Sequence, residues 1–329
     1  MKQKYWQIAV AFLVGLLLPL FALQITARVE TEDTQETVPS EPTETATETQ
    51  PTEPAPVAYI QVLQKTGDTV QMELEEYLIG VILAEMSTSY DMDALCAQAV
   101  VARTYALRRQ KELRHPEGAI CTDAGCCQAY VSEADYLDGL GYQVDIDVTR
   151  EVVSRTEGVI LTYEGEPIEA TYFSCSGGST EDAVAVWGVS YPYLQAVLSP
   201  GEEKVKNDRK EVYFTQLMFE DMLEVTLSED PKLWFGAVTY TPGGGVETME
   251  IGDEVFTGLQ LRSLLKLNST VITVKADEGG VVITTAGKGH RVGMSQAGAQ
   301  AMALRGYGYE TILTYYYPGA IIDKLENLG

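Results

Sequence analysis

Residues 31–56 read TEDTQETVPSEPTETATETQPTEPAP, a run of Thr, Glu and Pro without one aromatic residue, and this stretch decides where folding can begin. It has too little to bury to offset the entropy of ordering a chain, so it is expected to be a disordered linker, kept extended by its charges and prolines. The foldable part starts at Val57, which leaves residues 57–329 for one domain.

Ahead of the linker, Lys2 and Lys4 precede an apolar run from Trp6 to about Ile25, broken only by Gln7, Gly15, Pro19 and Gln24. About 20 apolar residues span a bilayer core. Lysines on its N-terminal side keep residues 1–5 in the cytoplasm and send the rest of the chain out. A cleaved secretory signal shares this layout. Neither Ala22-Leu23-Gln24 nor Ile25-Thr26-Ala27 makes a good small-x-small cleavage site, which favours an uncleaved single-pass anchor over 6–25 followed by a linker over 26–56. The orientation is the same on both readings. Formal charge is −25, from 23 Lys and Arg against 48 Asp and Glu. A surface that acidic repels phosphate backbones and excludes nucleic acid as a partner. A polysaccharide, read by hydrogen bonds and stacking, suits it better.

Within 57–329 the periodicities mix. AYIQVLQKTGDTVQMEL alternates around Thr66-Gly67-Asp68 and predicts a hairpin. LEEYLIGVILAEM has helical spacing and ends at Ser87-Thr88-Ser89; Asp91 or Asp93 then caps a longer helix from Ala94 to about Leu113. Two strands flank the Glu-Gly-Glu-Pro turn of GVILTYEGEPIEATYFSCSGG. A helix is expected over 207–227, strands over 235–285 with a turn at Pro242–Gly245, and a short helix over Leu259–Leu267. A Gly-rich loop, GKGHRVGMSQ, precedes two closing helices. Without a regular βαβ rhythm the fold class is α+β, with room for two lobes around a groove.

Three places can carry chemistry. Glu85 ends the apolar stretch Ile79–Ala84, and burial would raise its carboxyl pKa toward the range of a general acid, although a Glu at a helix end is more often simply solvated. The next helix presents Gln98, Arg103 and Tyr105, able to orient a sugar or balance charge on Glu85. The loop His115-x5-Cys121-x4-Cys126-Cys127 gathers imidazole and thiols, which favours zinc, while an exported chain can instead form a disulfide there. Five cysteines leave one odd. Lastly, Thr171–Thr180 offers hydroxyls and flexible backbone, and a nucleophile at Ser176 or Cys175 with His290 as base is conceivable, though no G-x-S-x-G elbow surrounds either.

Taken in order, these segments resemble the stage II sporulation protein D family, the SpoIID/LytB domain. EEYLIGVILAEM…ALCAQAVVARTYAL is similar to its first block, YFSCSGGSTE…VWG…YPYL to its second, and LRSLLKLNST and GHRVGMSQAGAQAMALRGYGYETILTYYYPGAII to its closing blocks. The resemblance spans nearly all of 57–325. It implies a peptidoglycan lytic transglycosylase that remodels septal wall during engulfment, with Glu85 as the acid/base. It further implies peptide-stripped glycan strands as substrate, and a wall amidase and other engulfment proteins as partners. By the same resemblance His115, Cys121 and Cys127 hold zinc, with water or Cys126 as the remaining ligand. Gln98 and Arg103 would position the sugar or Glu85; Tyr172, Ser176, Gly177 and Gly178 would line the groove, and His290, Ser295 and Gln296 would form its opposite wall. An amidase activator or glycan-binding adaptor is the alternative, since such a protein keeps the groove without needing Glu85. The chain departs from the family pattern at Cys96, where Lys is usual, at Arg291, where Gly is common, and at the turn Thr241–Val246, which replaces a typical S-G-R-V.

Overall fold

The structure, a computed structural model, describes residues 57–139, 141–202 and 208–328. The proposed anchor and linker, 6–25 and 26–56, lie outside the described residues. Among the described residues no helix is long and apolar enough to cross a membrane.

The expected hairpin is present: β1 (Tyr59–Leu63) pairs antiparallel with β2 (Thr69–Glu73), and Gly67 takes a φ of 93° that its missing side chain permits. Two helices follow, α1 (Leu74–Glu85) and α2 (Met92–Lys111). Asp91 caps α2 by accepting from the Asp93 amide at 3.1 Å, and Arg108, Arg109 and Lys111 place positive charge at its C-terminal end. Every α2 residue from Ala94 to Ala106 is buried, so this helix is the axis of the domain. A short strand, β3 (Ile120–Cys121), lies parallel to β1. Helices α3 (Glu133–Asp138) and α4 (Gln143–Arg155) lead to β4 (Val159–Tyr163), β5 (Glu166–Pro167), β6 (Tyr172–Phe173) and α5 (Ala183–Trp187).

The helix expected over 207–227 is instead a strand and a shorter helix, β7 (Arg209–Thr215) and α6 (Gln216–Leu223). Val212, Tyr213 and Phe214 favour a strand, and pairing with a later strand decides it. Then come β8 (Phe235–Tyr240), β9 (Val246–Ile251), β10 (Glu254–Thr257), α7 (Gly258–Leu264), β11 (Val271–Asp277) and β12 (Gly280–Ala286), the partner of β7. The chain closes with β13 (Met294–Ser295), α8 (Gln296–Ala303), α9 (Tyr309–Tyr316) and β14 (Ile321–Lys324). β13 lies parallel to β6, and β14 pairs antiparallel with β4.

The fold is α+β with two hydrophobic cores. One surrounds α1 and α2 and includes Tyr77, Val100, Leu161, Met294 and Leu313. The other lies among β7–β12, α6 and α7 and includes Phe214, Phe219, Trp234, Ile251 and Ile283. The loops between them carry the site.

Candidate functional site

Glu85 is the last residue of α1, and the extended backbone of Met86 turns the chain away there. Its half-buried side chain enters a groove of about 900 Å³, shared with Tyr105, Glu169, Tyr172, His290 and Gln296. Glu85 Oε1 accepts the Ala129 amide at 3.0 Å. Burial raises its carboxyl pKa above the ordinary value, and the Ala129 amide, Tyr172 and Gln296 only partly oppose this. The Tyr172 hydroxyl faces Glu85 yet makes no hydrogen bond of sound geometry. Behind this layer Gln296 Nε2 donates to Gln98 Oε1 at 3.4 Å.

Of the residues expected around Glu85, the groove brings together Tyr172, His290 and Gln296. The others stand elsewhere. Gln98 is fully buried and reaches Glu85 only through Gln296. Arg103 is fully buried on another face of α2, its Nε and Nη2 donating to Glu75 at 2.9 and 2.5 Å and its Nη1 to the Val159 carbonyl at 3.0 Å. A guanidinium out of water takes the nearest carboxylate, and that is Glu75 rather than Glu85. Ser176 and Gly177 wrap the buried Glu202: the Ser176 amide and hydroxyl donate to it at 2.6 and 2.9 Å, the Gly177 amide at 3.2 Å. A Cβ on Gly177 would come within 2.7 Å of the Ala286 backbone, so this glycine allows two loops to touch. Gly178 continues that turn at a φ of 123°. Ser295 caps α8 by accepting from the Gly298 amide at 3.2 Å.

The His290 ring lies 5.6 Å from Phe173 and 5.4 Å from Trp187, and its Nδ1 accepts the Val292 amide at 3.1 Å. Burial, then the nearby Arg262, push its pKa down to about 4, so it is a neutral imidazole. Its nitrogens meet neither Ser176 nor Cys175. The Cys175 thiol donates to Glu202 at 3.1 Å, and burial pushes its pKa up to about 12, which leaves no thiolate nucleophile.

Sequence reading missed Glu169 and the groove's cations. Glu169 is buried between Arg108, at 2.9 Å, and Arg109; burial raises its pKa while the arginines oppose the rise. Its place three residues before Tyr172 was the available signal. Arg262, from α7, and Lys288 line the groove and form no ion pair among the described residues. Both lie in segments singled out above, LRSLLKLNST and GKGHRVGMSQ, but only the tertiary fold brings them to one groove.

In the cysteine loop, the ligand atoms of His115, Cys121, Cys126 and Cys127 all lie within 4.8 Å of one another. Cys126 Sγ is 3.4 Å from His115 Nε2. Tetrahedral bonds of about 2.0 Å to nitrogen and about 2.3 Å to sulfur put neighbouring ligand atoms roughly 3.5–3.8 Å apart, so the four residues fit one metal ion. Cys126 is the fourth donor of that set, and all the cysteines are free thiols. The loop adjoins the groove through Cys126 and Cys127, and two residues past Cys127 it delivers the Ala129 amide to Glu85.

A half-buried carboxyl of raised pKa, among tyrosines and amides in an open groove, can hold a sugar chain and exchange a proton with it. The family described as Stage II sporulation protein matches residues 63–163. Stage II sporulation protein D of Bacillus subtilis (strain 168) is 36% identical over 274 residues, covering 81% of this chain and 79% of the relative. That of Bacillus amyloliquefaciens is 36% identical over 260 residues, covering 77% and 75%. The amidase enhancer of Bacillus subtilis (strain 168) is 29% identical over 310 residues, covering 75% of this chain and 40% of the relative. The chain belongs to the stage II sporulation protein D family.

Proposed function

We propose that this protein is a peptidoglycan lytic transglycosylase that cuts MurNAc–GlcNAc strands of septal wall during sporulation and engulfment. The observation that carries the reading is the carboxyl of Glu85, its pKa raised by burial and its side chain set in an open groove of about 900 Å³. Protonated Glu85 donates its proton to the glycosidic oxygen as the bond to MurNAc C1 breaks. The carboxylate then takes the proton of the C6 hydroxyl, whose oxygen attacks C1 and closes a 1,6-anhydro ring. The proton returns to Glu85 and no water is consumed, so one carboxylate suffices where ordinary glycosidases use two. The Ala129 amide holds that carboxylate in place, and Tyr172 and Gln296, facing it, favour its charged form. Glu169 stays tied to Arg108 and Arg109 and takes no part in proton transfer.

Substrate charge follows from the groove. Among the described residues Arg262 and Lys288 form no ion pair, which suits an anionic strand whose lactyl carboxylates have been freed of peptide. An amidase is therefore the expected partner, acting first, beside other engulfment proteins. The four-residue His/Cys set suits zinc, and with every coordination position filled by protein the ion would tie the loop together. The domain would work outside the cytoplasm at the mother-cell septal membrane, carried there by the N-terminal anchor over 6–25.

The relative named amidase enhancer favours a second reading, a glycan-binding adaptor that activates an amidase. Digestion of purified peptide-free glycan separates the two. The transglycosylase releases anhydro-MurNAc ends and Glu85→Gln does not, whereas an adaptor yields no new ends with either protein.

A further inference from the structure

Beyond Met86 the chain runs along a second depression of about 520 Å³, and Glu85 borders it as well as the main groove. Its lining includes Ser87, Thr88, Ser89, Tyr136, Tyr142 and Asp145. Asp145 organises them. Its carboxylate accepts from the Thr88 hydroxyl, from the Tyr136 hydroxyl at 2.9 Å and from the Tyr142 amide at 3.2 Å. The Ser87 and Ser89 hydroxyls pair at 2.8 Å. Tyr142 is 71% exposed, and among the described residues its ring stacks on no other aromatic ring.

The two sides of Glu85 differ in chemistry. The main groove carries arginines and Lys288, while among the described residues the second depression is lined by no basic side chain and presents fixed hydroxyls beside the Tyr142 ring. A tyrosine ring set among hydroxyls matches an uncharged pyranose unit, which has an apolar face of C–H groups and a rim of hydroxyls. Because both depressions meet at Glu85, a strand whose scissile bond reaches that carboxyl has sugars to accommodate on each side of it.

We propose that this depression is a second sugar subsite, so that a glycan strand lies across Glu85 with one unit stacked on Tyr142 and the rest in the main groove. The proposal rests on the glycan reading but not on the cleavage chemistry. Its test is therefore a binding measurement in the Glu85→Gln background, with peptide-free glycan oligosaccharides of hexasaccharide length or longer as the probe. Adding Tyr142→Ala weakens binding about tenfold, which corresponds to about 1.4 kcal/mol, and Tyr142→Trp restores it. Because Tyr142 is exposed, both variants keep the thermal transition of the background protein. Unchanged affinity in Tyr142→Ala overturns the subsite, even if the wild type cleaves glycan. Weakened binding with aromatic rescue supports it, even if no anhydro ends are ever found.

Discussion

Arg291 Nη1 meets Glu181 Oε1 at 2.9 Å, with both side chains 1% exposed, and this pair joins two of the three departures from the family pattern, Arg291 and the glycine turn. Arg291 has a φ of 67°, a conformation that glycine adopts most easily and the reason Gly suits the position. Its guanidinium also donates to the carbonyls of Ser176, Ser179 and Gly243, and the Gly245 amide donates to the same Glu181 oxygen at 3.1 Å. A Cβ built on Gly245 would lie 2.5 Å from Glu181 Oε1, 2.6 Å from Thr270 Oγ1 and 3.0 Å from Arg291 Nη1. Here the charge comes from position 291 and the turn is glycine; a turn of the S-G-R-V pattern would supply an arginine from the other side instead. Arg291→Gly should therefore cost about 3–5 kcal/mol by leaving Glu181 buried and unpaired. Gly245→Arg alone should also destabilise, because its Cβ presses on Glu181 and Thr270 and its guanidinium crowds that of Arg291; only the second of these is relieved by Arg291→Gly. The double variant should lose less than the sum, as a double-mutant cycle from denaturant unfolding will read; strict additivity would mean the two positions do not share one site.

The raised carboxyl of Glu85 has consequences for both stability and rate. Its folded-state pKa lies above the ordinary value of 4.5, so the folded protein binds that proton more tightly than the unfolded chain. Its contribution to stability is complete below the unfolded pKa and is lost as pH rises through the folded one. Glu85→Gln should then melt at a higher temperature than wild type at pH 7, with the gain vanishing as pH falls toward 4.5. Turnover should drop at least about a hundredfold in the same variant, and wild-type turnover should decline on the alkaline side as Glu85 loses its proton.

Gln296 supports the charged form of Glu85, so Gln296→Ala should raise the Glu85 pKa further and move the alkaline limb of the rate profile upward. A drop in kcat without that shift would give Gln296 a role in sugar contact alone.

Arg103→Ala separates a supporting residue from a groove residue. The loss of its bonds to Glu75 and Val159 should cost about 2–3 kcal/mol, read as a lower melting temperature. KM for glycan per folded molecule should hold, since Arg103 is absent from the groove lining.

Protein purified without chelator should carry about one zinc per chain, and either a strong chelator or Cys121→Ser should remove it and lower the melting temperature. Because Cys126 completes the set, Cys126→Ser should weaken metal retention as Cys121→Ser does. A native Cys121–Cys127 disulfide found by peptide mapping would contradict this account.

The hairpin at Gly67, the helix ending at Glu85 and the Asp91-capped helix were legible because each is set by local periodicity and turn chemistry. β7 was misread as helix because its strand state depends on β12, which lies some seventy residues further along. The site divided in the same way. Glu85 and the His/Cys loop are sequence-local features, whereas Arg103 and Ser176 acquire their partners, Glu75 and Glu202, only through tertiary packing. Motif resemblance points to positions that matter without saying whether they touch a ligand or hold the scaffold. Tyr136 and Tyr142 lie in a stretch without a recognisable motif and became visible only as neighbours of Glu85 across a depression.

The most direct test of the central claim is mass spectrometry of the ends released from peptide-free glycan in water enriched in oxygen-18. The account predicts 1,6-anhydro-MurNAc ends, lighter than hydrolysed ends by one water and free of label, and none from Glu85→Gln. Labelled reducing ends, or the same products from wild type and Glu85→Gln, would contradict it.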